Sequence, residues 1–240
     1  MNPLWPDLSV RADEPELMDD PTSSEEHLRR TLAQFAAINR YLTPCHRLLA
    51  RCVLSTLRDE PGRTWTLLDV GAGGGDVARW MDRQAARRGL RLRTTCLDHD
   101  PRVAAFARER SQHLQDVEVL QADVEVLADA ERQWDFVFAN HFLHHLPAER
   151  FVGTIQTMFK VTRRRLLISD IHRSHANYLG YTLLAALLLP RSFAFYDGRL
   201  SIRKGFTMAE CQSLLDEALP GQTCRVRRMA PGHLVLMADR

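Results

Sequence analysis

The sequence predicts an α/β protein with a mainly parallel sheet, helices on both faces and a reversed last strand. Three observations carry this. From residue 65 onward, short apolar runs alternate with stretches of helical spacing. One of those runs leads straight into a glycine-rich turn and a helix, at residues 67–76. The chain closes with two strand-like runs joined across Pro231-Gly232, a connection that only antiparallel neighbours can use.

Taken in order, residues 1–22 are rich in proline and acids and read as an irregular arm. Ser23 followed by Glu26 predicts a capping box, and Leu28, Leu32, Phe35, Ile38 and Leu42 then recur at helical spacing. A second helical stretch is expected from Pro44 to Leu57, closed by Pro61-Gly62. Strands are expected at 65–70, 92–97, 117–121, 136–139 and 166–169, with helices at 76–89, 101–113 and 147–163 between them. Thr207 with Glu210 opens a further capped helix, before strands at 223–229 and 233–238. The division that follows is an arm and helical cap at 1–62 and a sheet domain at 63–240, forming one structural unit.

The chain has 240 residues, 45% apolar and 26% charged, enough to bury a core without disulfides or a structural metal. With 32 Lys and Arg against 30 Asp and Glu, the net charge of +2 argues against a dedicated nucleic-acid binder. Cys45, Cys52, Cys96, Cys211 and Cys224 form no C-x-x-C pair, which fits the reduced thiols of a cytoplasmic protein. No basic leader and apolar core open the chain, and the apolar run 178–190 is shorter than the roughly 20 residues a bilayer span needs. Neither a signal peptide nor stable membrane insertion is expected.

The sharpest local signal is Leu67-Leu68-Asp69-Val70-Gly71-Ala72-Gly73-Gly74-Gly75-Asp76. Glycines at a strand-to-helix turn let the backbone approach a ligand closely. A dinucleotide fingerprint would place its third glycine where Asp76 stands, and Asp69 lies just before the turn. A pyrophosphate on this helix N-terminus would meet like charges, whereas a cationic ligand is favoured. S-adenosylmethionine carries a sulfonium, an ammonium and a carboxylate, and no phosphate. Asp98, ending the second strand in Leu97-Asp98-His99-Asp100, is placed to accept ribose hydroxyls, while Asp100 caps the helix at Pro101. Asp123, in Gln121-Ala122-Asp123-Val124, ends the third strand, where a carboxylate can accept from an exocyclic amine. Acids at the ends of three successive strands line the ligand crevice of an open α/β sheet.

On these residues, and on Trp134-Asp135-Phe136-Val137-Phe138-Ala139-Asn140, the chain resembles the class I S-adenosylmethionine-dependent methyltransferases over roughly residues 60–240. The resemblance implies a Rossmann-like three-layer sandwich whose seven-stranded sheet has a reversed last strand. It implies a cofactor site of Asp69, Gly71, Ala72, Gly73, Asp98, His99, Asp123, Val124 and Asn140, with Asp69, Gly71 and Gly73 around the methionine moiety. S-adenosylhomocysteine would be the product.

Methyl transfer to a hydroxyl needs alignment and removal of a proton. The fourth strand delivers Asn140-His141-Phe142-Leu143-His144-His145, and the fifth Ser169-Asp170-Ile171-His172. His144 or His145 is the expected base, with Asp170 or His172 as orienter or second base. No H-E-x-x-H pattern occurs and no metal is expected. The run 178–190, apolar nearly all round a helix, reads as core, dimer interface or, within residues 174–205, an acceptor lid. Met18-Asp19-Asp20 and Asn39-Arg40-Tyr41 are expected to close over the cofactor, with Arg40 reaching its carboxylate.

The expected activity is methylation of a hydrophobic small molecule, a phenol, quinone or polyketide-like metabolite, on oxygen. The alternatives are methylation of an activated aromatic carbon, of a macromolecule, or an NAD(P)-dependent oxidoreductase. Asn140-His141-Phe142-Leu143 is not the Asn-Pro-Pro-Tyr of many base-amino methyltransferases. The protein is expected as a monomer or homodimer.

Overall fold

The computed structural model describes residues 5–60, 62–189 and 192–240. The break expected at Pro61 and the end of the apolar run at Pro190 lie outside the described residues. Seven strands run β1 (Thr64–Val70), β2 (Arg91–Asp98), β3 (Val117–Gln121), β4 (Trp134–Asn140), β5 (Thr162–Ile171), β6 (Cys224–Met229) and β7 (His233–Asp239). They form one sheet in the order β3-β2-β1-β4-β5-β7-β6. The pairs from β3 through β5 are parallel, and β7 is antiparallel to both β5 and β6. The reversed last strand expected from Pro231-Gly232 is therefore present.

The central strands are covered on both faces, as their continuous apolar runs require. On one face Val137, Leu166 and Ile168 pack with α6 (Phe151–Lys160) and α9 (Met208–Ala218) through Ile155, Met158 and Leu215. On the other, Leu67, Phe136, Phe138 and Leu167 meet Leu49, Leu54 and Leu57 and the helix α4 (Asp76–Ala86). Each fully buried large apolar side chain here contributes about 1.5–3 kcal/mol. The helical stretch 45–57 is α2 (Cys45–Leu49) and α3 (Ser55–Leu57) joined by a π-helical turn at Ala50–Leu54.

The predicted capping box at Ser23 is corrected by one residue. Helix α1 (Glu25–Tyr41) is capped by Ser24, which accepts from the His27 N–H, so no glutamate stands at the reciprocal position. Ser23 instead accepts from Arg102 at the start of α5 (Pro101–Ser111), fastening the arm to the sheet domain. The second predicted box is present: Thr207 and Glu210 exchange both bonds at the start of α9. Asp100 caps α5 as expected, accepting from the Arg102 N–H at 2.7 Å.

The N-terminal arm is laced across the strand ends. Ala12 pairs with the carbonyl of Arg203, and buried Arg173 donates to the carbonyl of Leu8. Arg11 lies over the rings of Phe151 and Phe206 and donates to the carbonyls of Lys204 and His144. After β5 come α7 (His175–Leu188) and α8 (Ala194–Lys204). Among the described residues no helix is long and apolar enough to cross a membrane.

Candidate active site

The C-terminal ends of β1, β2, β4 and β5 open onto one cavity of about 600 Å3, completed by the arm, α1, α7 and α8. Of the sequence-predicted residues it gathers Asp69, Gly71, Ala72, Gly73, Asp98, His99, Asp123, Val124, Asn140, His144 and His145 on its wall. Asp170 stands directly behind His144. His172 and Arg40 are not on that wall.

At the glycine loop, Gly71 has φ 64°, and a Cβ there would sit 2.5 Å from the Phe142 ring. Only glycine gives both the left-handed backbone and the close approach of the β4 loop. A Cβ on Gly73 would find only Leu32, at 4.0 Å, so this backbone is open to the cavity. Asp98 accepts from the N–H of Gly73 at 2.9 Å and of Asp100 at 3.1 Å, which fixes its carboxylate beside the loop. Burial raises its pKa despite those bonds.

Asp69 is buried, and burial, with Asp76 and Asp98 as like charges, pushes its carboxyl well above the usual range. Its Oδ2 and the Oδ1 of Asn140 are buried oxygens without a hydrogen-bond partner among the described residues. Both residues line the cavity, so two acceptors there call for donors from a ligand. Asn39 of α1 ties this region together: its Nδ2 donates to Asp76 and its Oδ1 accepts from Asn140, both at 3.3 Å. The expected closure by residues 39–41 thus falls to Asn39. Arg40 is exposed and stacks on Tyr41. Asp123 accepts from the Glu125 N–H and from Arg150 at 2.7 Å. Those partners outweigh burial and hold its carboxyl below the ordinary range.

The β4 and β5 ends build a second cluster. His144 is buried, and its Nδ1 lies 2.6 Å from Asp170 Oδ1. Burial opposes ionisation of Asp170, but His144 holds its carboxyl well below the usual range. The carboxylate can only accept, so Nδ1 carries a proton, and in the neutral ring Nε2 is the nitrogen with the lone pair. His145 Nδ1 is 3.0 Å from Asp19, with Glu16 at 3.9 Å. Burial disfavours its cation, yet Glu16 and Asp19 raise it to about 9. His141, at φ 53°, faces His233 with 2.6 Å between their Nε2 atoms. His233 Nδ1 points to the carbonyl of Pro231, so His233 Nε2 accepts and His141 donates. Burial lowers the pKa of both rings, that of His141 well below its ordinary value.

His172 is turned away because β5 ends at Ile171 and the backbone is captured: the His172 N–H donates to Gly232 and its carbonyl accepts from Asn177. Its ring, below its ordinary pKa through burial, feels Arg228 and Arg173. Residues that sequence reasoning missed are Glu16 and His233, both on the cavity wall, which Tyr181 of the expected lid segment also lines. Glu16, His144 and His145 also place three potential metal-ligand atoms within 4.8 Å of one another.

Residues 67–165 match the sequence profile of a family described as a methyltransferase domain. With the observed strand order, this match supports a class I S-adenosylmethionine-dependent methyltransferase domain, with S-adenosylmethionine as its cofactor. Comparison with curated protein sequences finds no significant match. Solved structures share the fold. Magnesium protoporphyrin IX methyltransferase from Synechocystis PCC 6803, with bound SAM, is 15% identical over 82% of this chain and 80% of its own, with TM-score 0.52. Human N-acetylserotonin methyltransferase, in complex with SAM, is 15% identical over 90% of this chain and 56% of its own, at TM-score 0.62. The plantazolicin methyltransferase BpumL, in complex with a monoazolic desmethylPZN analog and SAH, is 11% identical over 90% of this chain and 95% of its own, at TM-score 0.64.

Proposed function

We propose that the protein moves the methyl group of S-adenosylmethionine to a hydroxyl oxygen of a hydrophobic small molecule of the phenol, quinol or polyketide-like class. The single observation that carries this reading is the Asp170–His144 pair at 2.6 Å, with His144 on the same cavity as the glycine loop.

The cofactor fits the residues present. The unpartnered oxygens of Asp69 and Asn140 suit the ammonium, Asp98 the ribose hydroxyls, and Asp123 an adenine amine. Ala72, Gly73, His99 and Val124 complete the walls. When bound, the cofactor supplies an electrophilic methyl carbon with a neutral thioether as leaving group. His144 Nε2 takes the acceptor's proton, and Asp170 holds the ring's tautomer and steadies the imidazolium that results. With its proton on His144, the acceptor oxygen would hold the electron pair that bonds the transferred methyl, the neutral thioether being the leaving group. Phe35, Ile38, Tyr181, Leu184 and Ile202 give that cavity the apolar surface that receives the acceptor and excludes water. Tyr181 and Leu184 come from α7, which supports the lid reading of residues 174–205. Leu183, Leu187 and Leu188 of the same helix are exposed.

The test is thermal unfolding with S-adenosylhomocysteine and with NAD, followed by transfer of labelled methyl to a panel of alkylphenols. Stabilisation by S-adenosylhomocysteine and label in the organic extract are expected. Stabilisation by NAD alone, or label in protein or RNA, overturns the reading.

A further inference from the structure

We infer that Glu16, on the N-terminal arm, binds a second hydroxyl of the acceptor, so that the pocket selects dihydroxy-aromatic over monohydroxy substrates. This rests on the methyl-transfer reading above.

Glu16 is buried, at 2% exposure, and its carboxylate is on the cavity wall. Its position is fixed from three sides. The following N–H groups, of Leu17 and Met18, donate to Asp197 at 2.8 and 3.0 Å. Its Oε1 accepts from Ser201 at 3.1 Å and faces Lys204 Nζ at 3.5 Å. Its Oε2 is different: among the described residues nothing donates to it, and the nearest cation, His145 Nδ1, is 3.9 Å away. Glu16 stands on the cavity wall, where a ligand can supply that donor.

The neighbouring group says which donor. His144 Nε2, the lone pair assigned above as proton acceptor, lies 3.8 Å from Glu16 Oε1. A basic nitrogen and a carboxylate thus stand side by side on one wall. Two hydroxyls on adjacent ring carbons present two O–H donors side by side in the same way. One donates to His144 and becomes the methylated oxygen; the other donates to Glu16 and sets which oxygen faces the base. A neutral donor suits Glu16 better than an ammonium or a divalent ion, because Lys204 and the protonated His145 already supply its countercharges. A site built around a substrate hydroxyl rejects an analogue lacking it far more strongly than an apolar pocket rejects a missing methylene.

The experiment uses two probes, 4-octylcatechol and 4-octylphenol, on the full chain. Their affinity for the S-adenosylhomocysteine-loaded protein is measured by calorimetry, and kcat/KM is measured with S-adenosylmethionine. For the unmodified protein the catechol is expected to bind at least tenfold more tightly. In Glu16→Gln the preference should fall to about twofold, with 4-octylphenol affinity unchanged. Equal binding of the two probes by the unmodified protein overturns the inference, and this comparison needs no variant to fold. Equal weakening of both probes in Glu16→Gln overturns it as well, because a merely structural Glu16 would do that. A catechol preference in binding without methylation of either probe would instead count against the transferase reading.

Discussion

The two halves of the cavity are built in opposite ways. The half proposed to hold the cofactor comes mainly from one run of chain: β1, the glycine loop and the end of β2, with Gly71, Gly73 and Asp98 within 28 residues of one another. The half proposed for the acceptor is assembled from afar. His145 and Asp19 meet across 126 positions, Ser201 and Glu16 across 185, and His141 and His233 across 92. The first half is carboxylate-rich and orders backbone. The second pairs histidines with carboxylates inside apolar walls. The lesson is that a shared cofactor is read by a local motif, whereas an acceptor is read by whatever the topology brings to the strand ends.

Substitutions that separate the halves give the sharpest tests. The largest effect is expected for Gly71→Val, whose side chain meets the Phe142 ring from a left-handed backbone. S-adenosylhomocysteine affinity should fall on the order of 10³-fold by calorimetry, with the far-UV spectrum retained. Next is Asp170→Asn, which removes the charge behind His144. Its kcat should drop roughly 10²- to 10⁴-fold, with S-adenosylhomocysteine affinity within about twofold. A matching loss of cofactor affinity would mean that the halves are one site.

Asp98→Asn should do the converse. Affinity for S-adenosylhomocysteine falls about 10- to 100-fold through loss of charge-assisted bonds, while kcat at saturation changes little. A smaller effect concerns the arm. Glu16 and Asp19 raise His145 from 6.5 to about 9. A folded-state pKa above the unfolded one means that this stabilisation is full below about pH 6.5 and disappears as pH rises through 9. Thermal unfolding should therefore show a lower Tm at pH 9.5 than at pH 6.5, a difference reduced in His145→Gln. Smallest of all, Leu187→Gln, at an 80% exposed position, should change stability by less than about 0.5 kcal/mol and leave both halves intact.

This contrast also explains what the sequence could reveal. Strand and helix alternation, the turn at Pro231-Gly232 and the Thr207–Glu210 box are local patterns, and each appears where expected. Asp98 beside Gly73 follows from parallel strands ending at one edge. Ser24 rather than Ser23 caps α1, a shift of one residue that composition does not resolve because both are good caps. His172 has the same strand parity as Asp170, but β5 ends between them, and side-chain alternation carries no information past a strand's end. Glu16 lies in an arm with no periodicity, and only its tertiary contacts with Ser201, Lys204 and the histidines give it a place. Arg40 follows Asn39 by one position, and that one step on α1 turns it from the cavity to solvent.

The division of labour itself is best tested by calorimetric titration of S-adenosylhomocysteine into Asp98→Asn and Asp170→Asn side by side. Affinity reduced at least tenfold in Asp98→Asn and unchanged in Asp170→Asn is the expected result. Unchanged affinity in Asp98→Asn, or equal losses in both, would contradict a cofactor half centred on the glycine loop and Asp98 and a separate acceptor half built on His144 and Asp170.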